Sequence, residues 1–154
     1  MLSQLILWSL LVMSNPSDST AKPDFDLWWD YERPDRTEDR FRELLPTAKA
    51  SGDTGYYAEL MPQLARTLGL QQKFDSAHAV LDEIKALLPA AGEKATVRYL
   101  LERGRTLHSS KRQAESIPPF TEAWQRANKA GFDFFAVDAL HMLAIVVPVE
   151  ERME

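Results

Sequence analysis

Two stretches of this chain line up residue for residue at an offset of 39. Met61, Leu64, Ala65 and Leu68 fall on Leu100, Arg103, Gly104 and Leu107, and Phe74, Ala77, Leu81 and Ile84 fall on Gln113, Ser116, Phe120 and Ala123. A third start, Leu140, Leu143, Ala144 and Val147, follows the second at an offset of 40. Each aligned set has helical spacing, with apolar or small residues three and four apart except at Arg103 and Gln113. A repeated unit of this length cannot bury its apolar face alone, so its copies must stack on one another.

The rest of the chain agrees with helices. From Phe25 onward no segment alternates in the manner of a strand, and Gly52, Gly55, Gly69, Gly92 and Gly131 fall where helices should stop. The pattern predicts an aromatic turn over 25–31 and helices near 36–51, 55–70, 74–88, 92–109, 112–130 and 133–147, with another beginning near Val149. Connections of a few residues make successive helices antiparallel neighbours. Gly104 falls inside a helix, where it costs up to about 1 kcal/mol against Ala. A close approach between paired helices is a reason to accept it, with Ala65 and Ala144 as its counterparts and Ala77 and Ser116 as the small residues across the gap.

These residues resemble the tetratricopeptide repeat: a first helix with large-x2-Leu-small-x2-large and a second with aromatic-x2-Ala-x3-Phe-x2-Ala, closed by a Pro at the position of Pro89. The likeness covers about 57–147, and "EDRFRELLPTAKA" reads as a degenerate half-copy before it. Arg103, Gln113 and Ser116 depart from the pattern, and the period exceeds the usual ~34 residues. The resemblance implies an all-α fold, a right-handed α-α superhelix of stacked hairpins.

Pro118 and Pro119 strain this assignment, because a proline within a helix removes a donor and crowds the carbonyl four residues back. Two registers are open. The helix starts at Ser109 or Ser110 and runs through the prolines, depriving the carbonyls of Ala114 and Glu115, or Ser116 caps a later start that leaves both prolines in the first turn. Repeats that this chain resembles often carry a Pro at the position of Pro118, so a continuous helix over 112–130, bent near Ile117 and held by Ile117, Phe120, Ala123 and Ala127, is the expectation adopted.

Several function classes are disfavoured. The net charge is -5, which argues against a general nucleic-acid binder. There is no Cys, hence no disulfide, thiolate site or Cys nucleophile. His78 with Asp75 and Asp82 shares one helix face, which reads as a solvated face rather than a metal site, and His108 beside Ser109 and Ser110 reads as a helix end rather than a nucleophile pair. No catalytic constellation, cofactor site or metal site is expected, and the protein is not expected to be an enzyme. The apolar run "MLSQLILWSLLVM" is too short to span a bilayer, which takes about 20 residues. It reads as a leader ahead of a true start at Met13 in a cytoplasmic protein, or as the core of a signal peptide cut after Ala21 in an exported one. Residues 1–24 thus form a leader and polar arm, and 25–154 the helical domain.

The resemblance puts the first helices of the copies on a concave face. The residues opposite the small positions are then Glu59, Arg66 and Leu70; Arg98, Leu101, Arg105 and His108; and Asp138, His141 and Ile145. Three arginines converging in an acidic protein suit a carboxylate-bearing or acidic peptide, since guanidinium forks pair with carboxylates bidentately. The alternative is three solvated arginines. Pro62 and Arg66 stand where a chaperone-binding carboxylate clamp of this family would want Lys and Asn, so that activity is not expected. "FDLWWDY", Phe25 to Tyr31, reads as a cover for the apolar end of the stack, with a ligand-stacking role as the alternative. Leu140, Leu143 and Val147 have no second helix to cover them, which marks self-association or a longer repeat array. The expected function is a protein- or peptide-binding module, with a self-associating scaffold as the other reading.

Overall fold

The computed structural model describes residues 22–148, all of whose regular elements are helical. The leader, most of the polar arm and the helix expected from Val149 lie outside the described residues. A 3-10 turn at Phe25–Trp28 leads into α1 (Pro34–Ala50), α2 (Thr54–Leu70), α3 (Phe74–Ile84), α4 (Leu88–Ala91), α5 (Glu93–Ser109), α6 (Gln113–Ala130) and α7 (Asp133–Val146). The pairs α1–α2, α2–α3, α5–α6 and α6–α7 pack side by side, α4 packs on α2 and α5, and α2 also packs on α5.

The offset of 39 reappears in the backbone. Gln72, between α2 and α3, and Lys111, between α5 and α6, are the two non-glycine residues with positive φ among the described residues, at 61° and 63°. At both turns the next amide reaches back five residues: Lys73 N–H donates to Leu68 C=O and Arg112 N–H to Leu107 C=O, each at 2.9 Å. This is the left-handed closure that satisfies the last free carbonyls of a helix. Buried Thr67 and Thr106, one turn earlier, bond back to carbonyls of their own helices through Oγ1. Two segments with the same caps and the same strained residue at the same spacing are the same local structure.

Packing between the helices follows the small positions. Ala65, Ala77, Leu81 and Ile84 are fully buried around the α2–α3 pair, as are Ser116, Phe120, Ala123 and Ala127 on α6. At Gly104 the close approach is to Phe120 rather than to Ser116, one turn away. A Cβ there would stand 2.6 Å from Phe120 Cε1. Of the three departures from the repeat pattern, Arg103 and Gln113 tie one element to another and Ser116 bonds within its own helix. Arg103 reaches from α5 to His78 and Asp82 on α3, Gln113 donates its side-chain amide to Val146 C=O at the end of α7 (2.7 Å), and Ser116 Oγ donates to Gln113 C=O (2.6 Å).

Pro118 and Pro119 lie inside α6, which runs unbroken from Gln113 to Ala130. Its N-cap is Arg112, however, not Ser109 or Ser110. Those serines end α5, where Ser110 Oγ donates to Thr106 and Leu107 carbonyls. The carbonyls that the prolines leave unpaired belong to Ala114 and Glu115, both on exposed residues, so water can serve them. Burial of Phe120 contributes about 1.5–3 kcal/mol toward the prolines' cost.

A second proline moves a boundary. The helix expected over 74–88 stops at Ile84, passes through a 3-10 turn at Lys85–Leu87 and resumes as α4 with Pro89 in its first turn. Pro89 has no N–H for the carbonyl of Lys85, so the α pattern cannot run through it, whereas a first-turn position needs no such bond.

Candidate functional site: a cleft across three helices

α2, α5 and α7 line one cleft of about 850 Å³, with the aromatic segment 25–31 as its remaining wall. Five of the eight residues expected to form a binding surface border it: Arg66, Arg98, Leu101, Arg105 and His141. Leu70, His108 and Ile145 do not. They sit near the C-terminal ends of α2, α5 and α7, beyond the cleft. Helical periodicity identifies a face of a helix, and it does not say how far along that face the opening extends.

The arginines are neither free nor merely solvated. Arg66 Nη1 donates to Glu102 Oε1 at 3.2 Å. Arg105 pairs with the same Glu102 oxygen and with Asp138 on α7. Burial opposes the charge of Arg105, but Glu102 and Asp138 outweigh it and hold its pKa above the ordinary guanidinium value. Arg98 pairs with Asp26 of the aromatic segment and, through Nε at 3.2 Å, with Glu59, which also holds Lys94. Two ion ladders therefore cross the helices, one from α2 through α5 to α7 and the other from the aromatic segment through α5 to α2.

This changes the expected ligand chemistry. The cleft is lined by three arginines and by four carboxylates, those of Asp26, Glu102, Asp133 and Asp138. Each arginine already has a carboxylate partner within the chain. An acidic peptide would have to displace such a partner, so the convergence of Arg66, Arg98 and Arg105 does not by itself make an anion site.

The sequence pattern missed the aromatic lining. Phe25 and Trp28 do cover α1: Phe25 meets Phe41 edge to face at 6.3 Å, and Trp28 stacks on Phe41 at 6.5 Å. Trp29 meets Phe41 as well, edge to face at 5.5 Å, and it and Tyr31 also border the cleft. Their rings stack at 4.9 Å and 10°, Trp29 Nε1 donates to Gln63 Oε1 at 3.1 Å, and the Arg66 guanidinium lies 5.8 Å from both ring centres. Opposite them α7 contributes Phe134, Phe135 and Val137. Phe134 is 77% exposed, Val137 67% and Tyr31 61%, large values for apolar or aromatic side chains at the mouth of one cleft. The run "DFFAV" at the start of α7 was the signal available in the sequence.

His78 and Asp82, on α3, both meet Arg103: its Nη1 lies 2.7 Å from His78 Nδ1 and its Nη2 pairs with Asp82. Arginine has only donors, so His78 Nδ1 accepts and the ring is neutral. Burial, then the charges of Arg103 and Arg112, hold the His78 pKa below its usual value. Among the described residues no group of three or more His, Cys, Asp or Glu is placed to hold a metal ion. No described helix is long and apolar enough to cross a membrane. No protein-family model, curated protein or solved structure matches this chain.

Proposed function

We propose that this protein is a binding module, a short tetratricopeptide-like solenoid whose first helices hold a segment of a partner protein in the cleft of α2, α5 and α7. The observation that carries the reading is the pairing of an open cleft with exposed apolar and aromatic side chains on facing walls, Tyr31 on one and Phe134 and Val137 on the other. Such side chains stay in water at a cost of roughly 25 cal/mol for each Å² of apolar surface left uncovered. The ligand's anchor is therefore an aromatic or branched aliphatic side chain between these walls. The arginines, fixed by their own carboxylates, shape the floor and supply N–H groups only at its edges.

Selection from a displayed library of random dodecapeptides tests this. Peptides carrying an aromatic or aliphatic anchor should be enriched, and Tyr31→Ser and Phe134→Ser should each weaken them at least about tenfold, equivalent to about 1.4 kcal/mol. Both residues are exposed, so these changes leave the core intact. A selection without enrichment, or peptides that bind both variants as tightly as the parent, would remove the cleft from consideration.

A further inference from the structure

The charges of the cleft sort into those that are compensated within the chain and those that are not. One ladder consists of Arg66, Glu102, Arg105 and Asp138, the other of Asp26, Arg98, Glu59 and Lys94. Each ladder holds two cations and two carboxylates and is neutral as a unit. The floor that they cross therefore favours neither sign of charge.

The walls differ from the floor. Neither the aromatic segment from Phe25 to Glu32 nor α7 contains a Lys or Arg. On each wall the most exposed ring stands beside a carboxylate that belongs to neither ladder: Tyr31, 61% exposed, precedes Glu32, and Phe134, 77% exposed, follows Asp133. Glu32 and Asp133 are both exposed, and neither is in an ion pair among the described residues. Asp30 adds a third carboxylate, which accepts from the backbone N–H groups of Glu32 and Arg33. With the one histidine of the lining, His141, counted as neutral, the charge left over is negative and lies along the walls, next to the exposed rings.

We infer that the ligand of this cleft is a basic amphipathic segment of another protein: an aromatic or branched aliphatic anchor between Tyr31 and Phe134, with Lys or Arg on either side of it to meet Glu32 and Asp133. This rests on the reading of the cleft as a peptide site and adds the charge of the peptide to it. It reverses the acidic ligand that the three arginines suggest by count. An acidic segment would meet carboxylates on both walls and arginines that already have partners, and like charges brought together disfavour a complex. The chain's residues outside 22–148 do not supply such a segment: 1–21 contain no Lys or Arg, and 149–154 set Arg152 among Glu150, Glu151 and Glu154. A second copy arrives with a net charge of -5, which negative walls repel.

The probe is a displayed dodecapeptide library whose centre is drawn from aromatic and aliphatic residues and whose flanks are drawn from Lys, Ser and Glu, selected on the full chain. Among retained peptides Lys should outnumber Glu in the flanks at least about tenfold at low salt, and the excess should shrink at about 0.5 M salt, where exposed charges are screened. Glu32→Lys combined with Asp133→Lys should reverse the preference toward Glu. Phe134→Ser should release peptides of either kind, and circular dichroism checks that the variants remain folded. If nothing is retained, the reading of the cleft as a peptide site fails and this inference fails with it. Peptides that Phe134→Ser releases, but whose flanks are rich in Glu, show no charge preference or keep their Lys after the double reversal, overturn this inference alone. Lys-rich peptides that Phe134→Ser leaves bound lie elsewhere and overturn it as well. In the chain by itself, a photo-crosslinking variant, Phe134→p-benzoylphenylalanine, that joins to residues 1–21, to 149–154 or to a second copy would assign the cleft to the protein's own residues and likewise overturn it.

Discussion

Replacing Gly104 with Ala separates the two roles that a helical glycine can have. By propensity alone the change should stabilise α5 by up to about 1 kcal/mol. The contact with α6 opposes this. The new Cβ would fall 2.6–2.7 Å from three atoms of the Phe120 ring, against 3.4 Å or more for ordinary contact, so the ring must retreat by most of an ångström. Phe120 is fully buried, with fully buried Ala123 and Ala127 on the same helix, so the ring can move only against the interior of the protein. Overpacking a filled core costs about 1–3 kcal/mol, and a displacement of this size belongs at the upper end. The net expectation is a loss of about 2 kcal/mol, or roughly 4–8 °C in Tm for a chain of this size. Urea unfolding followed by circular dichroism measures it. Gly69→Ala is the control: Gly69 is also helical, has no positive φ and has nothing within 4 Å of a Cβ, so that change should stabilise by about 0.4–1 kcal/mol. Adding Phe120→Leu to Gly104→Ala should return part of the loss as a coupling of about 0.5–3 kcal/mol. If Gly104→Ala is as stable as the parent while Gly69→Ala behaves as stated, the close approach of α5 and α6 is wrong, and with it the hairpin built on it.

Two further predictions concern the turns and a buried ring. Lys111→Gly and Gln72→Gly relieve an L-residue held at φ near +60°, which costs about 1–2 kcal/mol, against a glycine entropy penalty of about 0.5–1 kcal/mol; each should raise stability by about 0.5–1 kcal/mol in urea unfolding, and the two should add because the turns are separate. His78 is held neutral in the fold, with its pKa below the usual 6.5. The unfolded chain therefore binds the extra proton first, so this residue's share of stability is intact above that value and falls away as pH drops below it. His78→Gln should flatten the stability–pH curve just below the unfolded value relative to the parent, and identical curves would show that the ring is not held neutral.

Helix positions were legible because both punctuation marks and repeat spacing were in the sequence. Gly131, at φ 72°, closes α6 in the left-handed region that glycine occupies without strain, and the offset of 39 carries from side chains to backbone turns. The break at Lys85–Leu87 was less legible, because Pro89 is compatible both with ending a helix and with opening the next one. The first-helix faces were legible to the extent that period alone brings Arg66, Arg98 and Arg105 to one cleft. Their partners were less so. Glu102 stands three residues before Arg105 on α5, a spacing the sequence does show, but nothing local records that Glu102 also reaches Arg66 or that Asp26 and Asp138, on other elements, reach Arg98 and Arg105. Trp29 and Tyr31 were placed with Phe25 and Trp28 because all four are aromatic and adjacent. The chain leaves its 3-10 turn after Trp28, with Trp29 in an extended conformation, so that Trp29 keeps its contact with Phe41 while it and Tyr31 also border the cleft.

The fit of Phe120 against Gly104 also limits which helices can pair while the chain is folding. Were α6 to dock on α2 in place of α3, its ring would meet the methyl group of Ala65 where α5 offers only hydrogen. A mispaired intermediate of that kind carries the same overlap that Gly104→Ala introduces deliberately. Similar as they are, the two units are keyed to their own halves by one carbon atom, and swapping a second helix between them would require recutting the lock.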